Sequence, residues 1–102
     1  MNINISCKNY VLSAQTKSLL LTMTDHFSKY FRAILSVDWT LEMDRPFIKI
    51  RCRVRARSGN YLASSKAKTV REAAGVAIDK IEKQRRRLKR IKTRRSRAER
   101  NI

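Results

Sequence analysis

Apolar and polar residues alternate from Ile3 to Cys7, with Ile3, Ile5 and Cys7 on one side and Asn2, Asn4 and Ser6 on the other. Period two over five residues predicts a half-buried β-strand. The period then changes. Leu20, Met23, Phe27, Tyr30 or Phe31, and Ile34 recur at spacings of three and four behind Ser13, a residue suited to an N-cap, so a long helix is predicted from that point. Residues 36 to 43 return to period two, with Val37, Trp39, Leu41 and Met43 opposite Asp38, Thr40 and Glu42. Asp44-Arg45-Pro46 reads as a turn, since proline cannot extend a ladder through it.

The next alternation is the cleanest in the chain. Ile48, Ile50, Cys52, Val54 and Ala56 interleave with Lys49, Arg51, Arg53, Arg55 and Arg57, a strand with one core face and one face of bases about 7 Å apart. Ser58-Gly59-Asn60 supplies a tight hairpin. A fourth strand follows, with Tyr61, Ala63 and Ser65 opposite Leu62, Ser64 and Lys66. Thr69-Val70-Arg71-Glu72 has the form of a capping box. It opens a helix whose apolar stripe runs through Val70, Ala74, Ala77 or Ile78, Ile81, Leu88 and Ile91. Beyond residue 92 the stripe is lost, so residues 93–102 are expected to form a basic tail, disordered when free.

The resulting order, β-α-β-β-β-α, is expected to fold as one α+β two-layer sandwich over residues 1–92. A right-handed crossover makes the first two strands parallel, and two hairpins make the rest antiparallel. Both helices must cover one face of this four-stranded mixed sheet, because the other face carries the bases.

Charge sharpens this picture. Residues 1–44 hold four bases and four acids, while residues 45–102 hold 21 bases against four acids and so carry the entire net charge of +17. A half that repels itself is suited to discharge against a polyanion, and the release of condensed counterions drives sequence-independent nucleic-acid binding. The second helix becomes overwhelmingly basic from Lys83 through Arg85, Arg86, Arg87, Lys89, Arg90 and Lys92.

Other chemistries find little support. Cys7 and Cys52 are 45 residues apart in alternating apolar patterns, as expected of two buried reduced thiols. A zinc site would want four ligands at short spacing, and the single histidine is His26, expected at the surface. Asp38, Glu42 and Asp44 are better explained by cross-strand ion pairs with Arg51 or Arg53 than by a metal. Trp39 and Tyr61 share the core parity of their strands and are expected to pack rather than stack on bases. No nucleophile with a nearby base and no glycine-rich phosphate loop is present, so no enzyme, cofactor or small-molecule substrate is expected. The N-terminus lacks a signal-peptide pattern and Leu19-Leu20-Leu21 is the longest apolar run, which points to a soluble cytoplasmic protein without membrane contact.

The start Met-Asn-Ile-Asn-Ile-Ser, the run His26-Phe27-Ser28-Lys29-Tyr30-Phe31, the hairpin into Tyr61-Leu62-Ala63-Ser64-Ser65, and Ala77-Ile78-Asp79-Lys80-Ile81-Glu82-Lys83-Gln84 are collinear. Together they resemble the ribosome hibernation-promoting factors and ribosome-associated inhibitor proteins, in their short, sigma-54 modulation protein-like form. The resemblance covers about residues 1–92. It implies a fold like that of double-stranded-RNA-binding domains. It also implies binding to small-subunit rRNA between head and body, in competition with mRNA and with A- and P-site tRNA. It places rRNA contacts at Lys80, Lys83, Arg87 and Lys89 of the second helix and at Lys17 of the first. Arg86 and Arg90, and Lys49, Arg51, Arg53 and Arg55 of the basic strand, join them as expected rRNA-binding residues on charge. Arg85 stands where such proteins often carry an apolar residue, which suggests that the helix leaves the domain edge there. The chain reaches Ile102 without the second, dimerising domain of longer members, so self-dimerisation is not expected. A double-stranded-RNA-binding module and a constitutive ribosomal protein are the rival readings.

Overall fold

The computed structural model describes the backbone of residues 2–29, 31 and 33–100, and the side chains of these residues other than Phe27 and residues 88–100. Its elements are β1 (Asn2–Lys8), α1 (Ala14–Ser28), β2 (Ile34–Asp44), β3 (Phe47–Ala56), β4 (Gly59–Ala67) and α2 (Val70–Arg100). The four strands form one sheet in the order β1-β2-β3-β4. β1 runs parallel to β2, and the other pairings are antiparallel. This is the expected mixed sheet.

One face of the sheet is the core. Val37, Trp39 and Leu41 of β2, Ile50, Cys52 and Val54 of β3, and Tyr61 and Ala63 of β4 lie buried beneath Leu20 of α1 and Ala73, Ala74, Ala77 and Ile81 of α2. The three alanines let α2 lie close on β3 and β4, and each large apolar side chain removed from water contributes about 1.5–3 kcal/mol. Trp39 is fully buried, and its indole Nε1 donates to Thr24 Oγ1 at 2.9 Å. Thr24 Oγ1 in turn donates to the Leu20 carbonyl at 2.7 Å. Tyr61 meets Phe31 edge to face, with ring centroids 5.4 Å apart. Both aromatics therefore belong to the core, as their parity required.

Local chemistry sets the element ends. Ser13 Oγ accepts the Thr16 amide at 3.1 Å, capping α1, and Thr69 Oγ1 accepts the Glu72 amide at 3.2 Å, capping α2. The β2–β3 connection is Arg45-Pro46, between the paired residues Asp44 and Phe47.

Several expectations are corrected. The first helix ends at Ser28 instead of continuing to Ile34. Phe31 is buried beyond the helix end, and Ile34 opens β2 opposite Ala56. Their spacing imitated a helix because both are core residues of successive, separate pieces of chain. The β3–β4 hairpin is tighter than Ser58-Gly59-Asn60: Ala56 pairs with Gly59, which leaves Arg57-Ser58 as the connection. Gly59 has φ 150°, a conformation that glycine adopts without strain. Cys7 is exposed, not buried, because it sits near the end of an edge strand. Cys52 is buried as expected. The α2 backbone runs on to Arg100 without a break at residue 92. Asn101 and Ile102 of the expected tail lie outside the described residues.

Candidate nucleic-acid interface

Strand register determines what shares the open face of the sheet. Asn4, Asp38, Arg53 and Leu62 form one row across the four strands, Ser6, Thr40, Arg51 and Ser64 the next, and Lys8, Glu42, Lys49 and Lys66 the third. On the other side of Arg53, Ser36, Arg55 and Asn60 lie abreast. Lys49, Arg51, Arg53 and Arg55 therefore stand in a single exposed column along β3, with acids on β2 to one side and mostly neutral residues on β4 to the other.

Those acids do not make the ion pairs expected of them. Asp38, directly opposite Arg53, accepts instead from Asn4 Nδ2 at 2.9 Å. Glu42 pairs with Lys8 at 3.9 Å, and Asp44 with Lys66 at 2.6 Å. Lys66 holds the Asp44 carboxyl below its ordinary range by hydrogen bond and charge, and Lys49 adds a smaller effect of the same sign. The carboxylates are thus drawn to the outer strands, β1 and β4. Among the described residues, Arg51, Arg53 and Arg55 have no ion-pair partner.

The second basic surface is α2. Lys83, Arg86 and Arg87 are exposed, and Arg86 makes an i,i+4 pair with Glu82 at 3.5 Å. Lys80 has a different engagement: its Nζ donates to the Ser64 carbonyl at 2.8 Å. Gln84 binds the same strand on both sides of one residue. Its Oε1 accepts the Leu62 amide at 3.2 Å and its Nε2 donates to the Leu62 carbonyl at 2.7 Å. β4 is an edge strand, and these side chains occupy backbone groups that would otherwise face outward. Sequence reasoning assigned Lys80 to rRNA and missed Gln84. Neither edge contact is visible in a one-dimensional pattern.

Arg85 is half-buried, with its guanidinium 5.6 Å from the centre of the Phe31 ring and its Nε buried without a partner among the described residues. It packs onto the core instead of marking the domain edge. The helix leaves the sheet slightly later. Lys80 meets Ser64 and Gln84 meets Leu62, so four helical residues keep pace with two strand residues, about 6 Å against about 6.6 Å. One more turn brings the axis level with Asn60, and the Arg57-Ser58 connection lies just beyond. The 31-residue helix is about 46 Å long against about 33 Å for the ten residues of β3, and it sets the long dimension of a molecule 56 × 26 × 18 Å in extent.

The fold does not gather all the expected site residues. α1 follows β1 and α2 follows β4, two strands of the same direction, so the helices run roughly parallel. Lys17 in the first turn of α1 is exposed at the opposite end of the helical layer from Arg85, Arg86 and Arg87. The β3 column lies on the other face of the sheet. Lys89 and Arg90 fall outside the described side chains. Among the described residues, no cluster of His, Cys, Asp and Glu could hold a metal ion, and no helix is long and apolar enough to cross a membrane.

The described residues thus form a small α+β module with exposed cations on one helix and on the bare face of its sheet. The chain belongs to the family described as Sigma 54 modulation protein / S30EA ribosomal protein, whose model matches residues 3–96. It is a family of non-enzymatic, ribosome-associated factors. Among the solved structures that share the fold, two illustrate the likeness. The Thermus thermophilus Protein Y N-terminal domain is 17% identical, with a TM-score of 0.75 over 89% of this chain and 99% of that one. A ribosomal subunit interface protein from Coxiella burnetii is 12% identical, with a TM-score of 0.70 over 91% and 99%. No curated protein sequence matches the chain.

Proposed function

We propose that this protein is a ribosome hibernation factor. It binds the small ribosomal subunit between head and body, blocks the mRNA channel and the A- and P-site tRNA positions, and thereby silences translation in the cytoplasm of starved or stationary-phase cells. The observation that carries this reading is the match of a ribosome-associated family over residues 3–96, in a chain whose net charge of +17 lies in its second half. The proposed rRNA contacts begin with Lys83, Arg86 and Arg87, which α2 holds exposed. Lys17, Lys80, Lys89, Arg90 and the β3 bases Lys49, Arg51, Arg53 and Arg55 are further proposed contacts. Inhibition is steric: the folded domain fills the decoding channel and its cations hold it to phosphate. Recognition rests on shape and charge, because A-form grooves offer side chains little sequence to read.

Sedimentation with purified small subunits and whole ribosomes tests this, at about 0.1 M and about 0.5 M salt, with and without P-site tRNA. The reading expects saturable one-to-one binding that tRNA displaces. Unsaturable binding, indifferent to tRNA, would overturn it. Preference for free duplex RNA would favour a double-stranded-RNA-binding module, and unchanged ribosome occupancy between growth and starvation a constitutive ribosomal protein.

A further inference from the structure

We infer that the column Arg51, Arg53 and Arg55 on the open face of the sheet is a second polyanion site, shaped for the extended backbone of single-stranded RNA. It works independently of the basic surface of α2. The inference rests on RNA being the partner, and not on where in the ribosome the protein docks.

Alternate residues of a strand point to one face, so these guanidiniums repeat about every 7 Å along a line. That step is comparable with the separation of successive phosphates in a stretched nucleic-acid strand, whose backbone a basic track can follow. The three arginines lack carboxylate partners among the described residues, although Asp38 lies directly across from Arg53. Their mutual repulsion is thus left for an external anion to relieve.

The column is one strand wide, and that favours a single strand over a duplex. The neighbouring strand, about 4.8 Å away, carries Asp38 and Glu42, so a second line of phosphates on that side would meet like charge. On the β4 side stand Asn60, Leu62 and Ser64, two hydrogen-bonding residues around an apolar side chain that is 47% exposed. A strand repelled by β2 is steered toward β4, where sugars and bases find neutral contacts.

Among the described residues the site offers bases no free aromatic ring to stack on. Trp39 and Tyr61 are buried on the core face, and the aromatic ring of Phe47, at the end of the open face, has the Lys66 ammonium 5.6 Å from its centre. Without a free stacking platform, affinity comes from the backbone and is indifferent to sequence. Because α2 covers the reverse face of the sheet, a strand held on the arginine column leaves Lys83 and Arg87 available to a second RNA segment.

Fluorescence anisotropy with an unstructured oligouridylate and with a duplex RNA of equal length tests this. The wild type is compared with R51Q/R53Q/R55Q and with K83Q/R86Q/R87Q, which remove equal charge. The sheet variant is expected to lose at least tenfold in affinity for the single strand, and its salt slope to fall by about two, three contacts at about 0.7 each. Its ratio of single-strand to duplex affinity should fall, while the helix variant keeps that ratio. R51K/R53K/R55K, which preserves charge, should retain most of the binding, and denaturation midpoints show that each variant folds. Unchanged oligouridylate binding by the sheet variant would overturn the inference, as would equal losses in both variants on both RNAs. The assay contains no ribosome, so failure of the small-subunit reading leaves its outcome intact.

Discussion

Thr24 is the one buried polar side chain among the described residues, and it accepts from Trp39 while donating to Leu20. Replacing it by isosteric valine strands the indole N–H in the core without a partner, a desolvation cost of about 1–3 kcal/mol. Thr24→Val should therefore lower the urea midpoint by that amount, whereas Thr24→Ser, which keeps the oxygen, should lose less than half as much. Trp39 was legible as a core residue from strand parity. Its partner was not, because Thr24 lies on another element and threonine fits a solvated helix face equally well. The two cysteines separate in the same way. Cys7 is exposed and Cys52 buried, so a water-soluble disulfide reagent should titrate one thiol in the native protein and two in denaturant. Burial and the negative charge of Asp38 push the Cys52 thiol up to about 12 from an ordinary value of 9.0. The raised folded value means that the unfolded chain loses its proton first. The contribution of Cys52 is therefore fully present below pH 9.0 and lost as pH rises toward about 12, and Cys52→Ala should flatten that part of the stability profile.

At the scale of elements, β3 was the easiest to read and the end of α1 the hardest. In β3 every apolar residue from Ile48 to Ala56 faces the core and every base faces water, so period two was unbroken there. At the end of α1 the chain turns through Ala33 at φ 51°, and the residue after Ile34 falls at an irregularity of the β2–β3 register. No residue there announces a stop, since the glycine or proline that normally marks one is absent. The caps on β4 lay beyond any such reading, because they depend on α2 passing at a particular height over the edge strand. Gln84 presents a donor and an acceptor to the two backbone groups of Leu62, much as a neighbouring strand would. Gln84→Ala should cost about 1 kcal/mol. It should also raise the hydrogen-exchange rate of the Leu62 amide selectively, leaving the amides of Ala63 and Ser65 protected. A uniform rise across β4 would mean that the side chain holds the whole helix in place, and not the edge alone.

Over the whole molecule, the neutral half and the basic half of the chain lie side by side, each contributing two strands to the one sheet and one helix to its cover. The first half contributes β1, α1 and β2, including the acids Asp38, Glu42 and Asp44, while β3 and α2 carry the cations to opposite faces of one sheet. The concentration of charge in one half of the chain was plain in the sequence. That the cations divide between two faces followed only from the register and from the side of the sheet that α2 covers. Cations held this close, with their nearest carboxylates drawn to β1 and β4, cost the folded state self-repulsion that a bound polyanion removes. Any polyanion that binds the native protein better than the unfolded chain must raise its melting temperature by mass action. At a hundredfold excess over its dissociation constant this amounts to about 2.7 kcal/mol, or upward of 10 °C for a domain of this size. Scanning calorimetry with oligouridylate at low salt should show such a rise, shrinking as salt is added. R51Q/R53Q/R55Q should start from a higher melting temperature than the wild type, because part of the repulsion is gone, and gain less from RNA. A variant that melts lower and gains as much would place the repulsion elsewhere and leave the arginine column a solvated face.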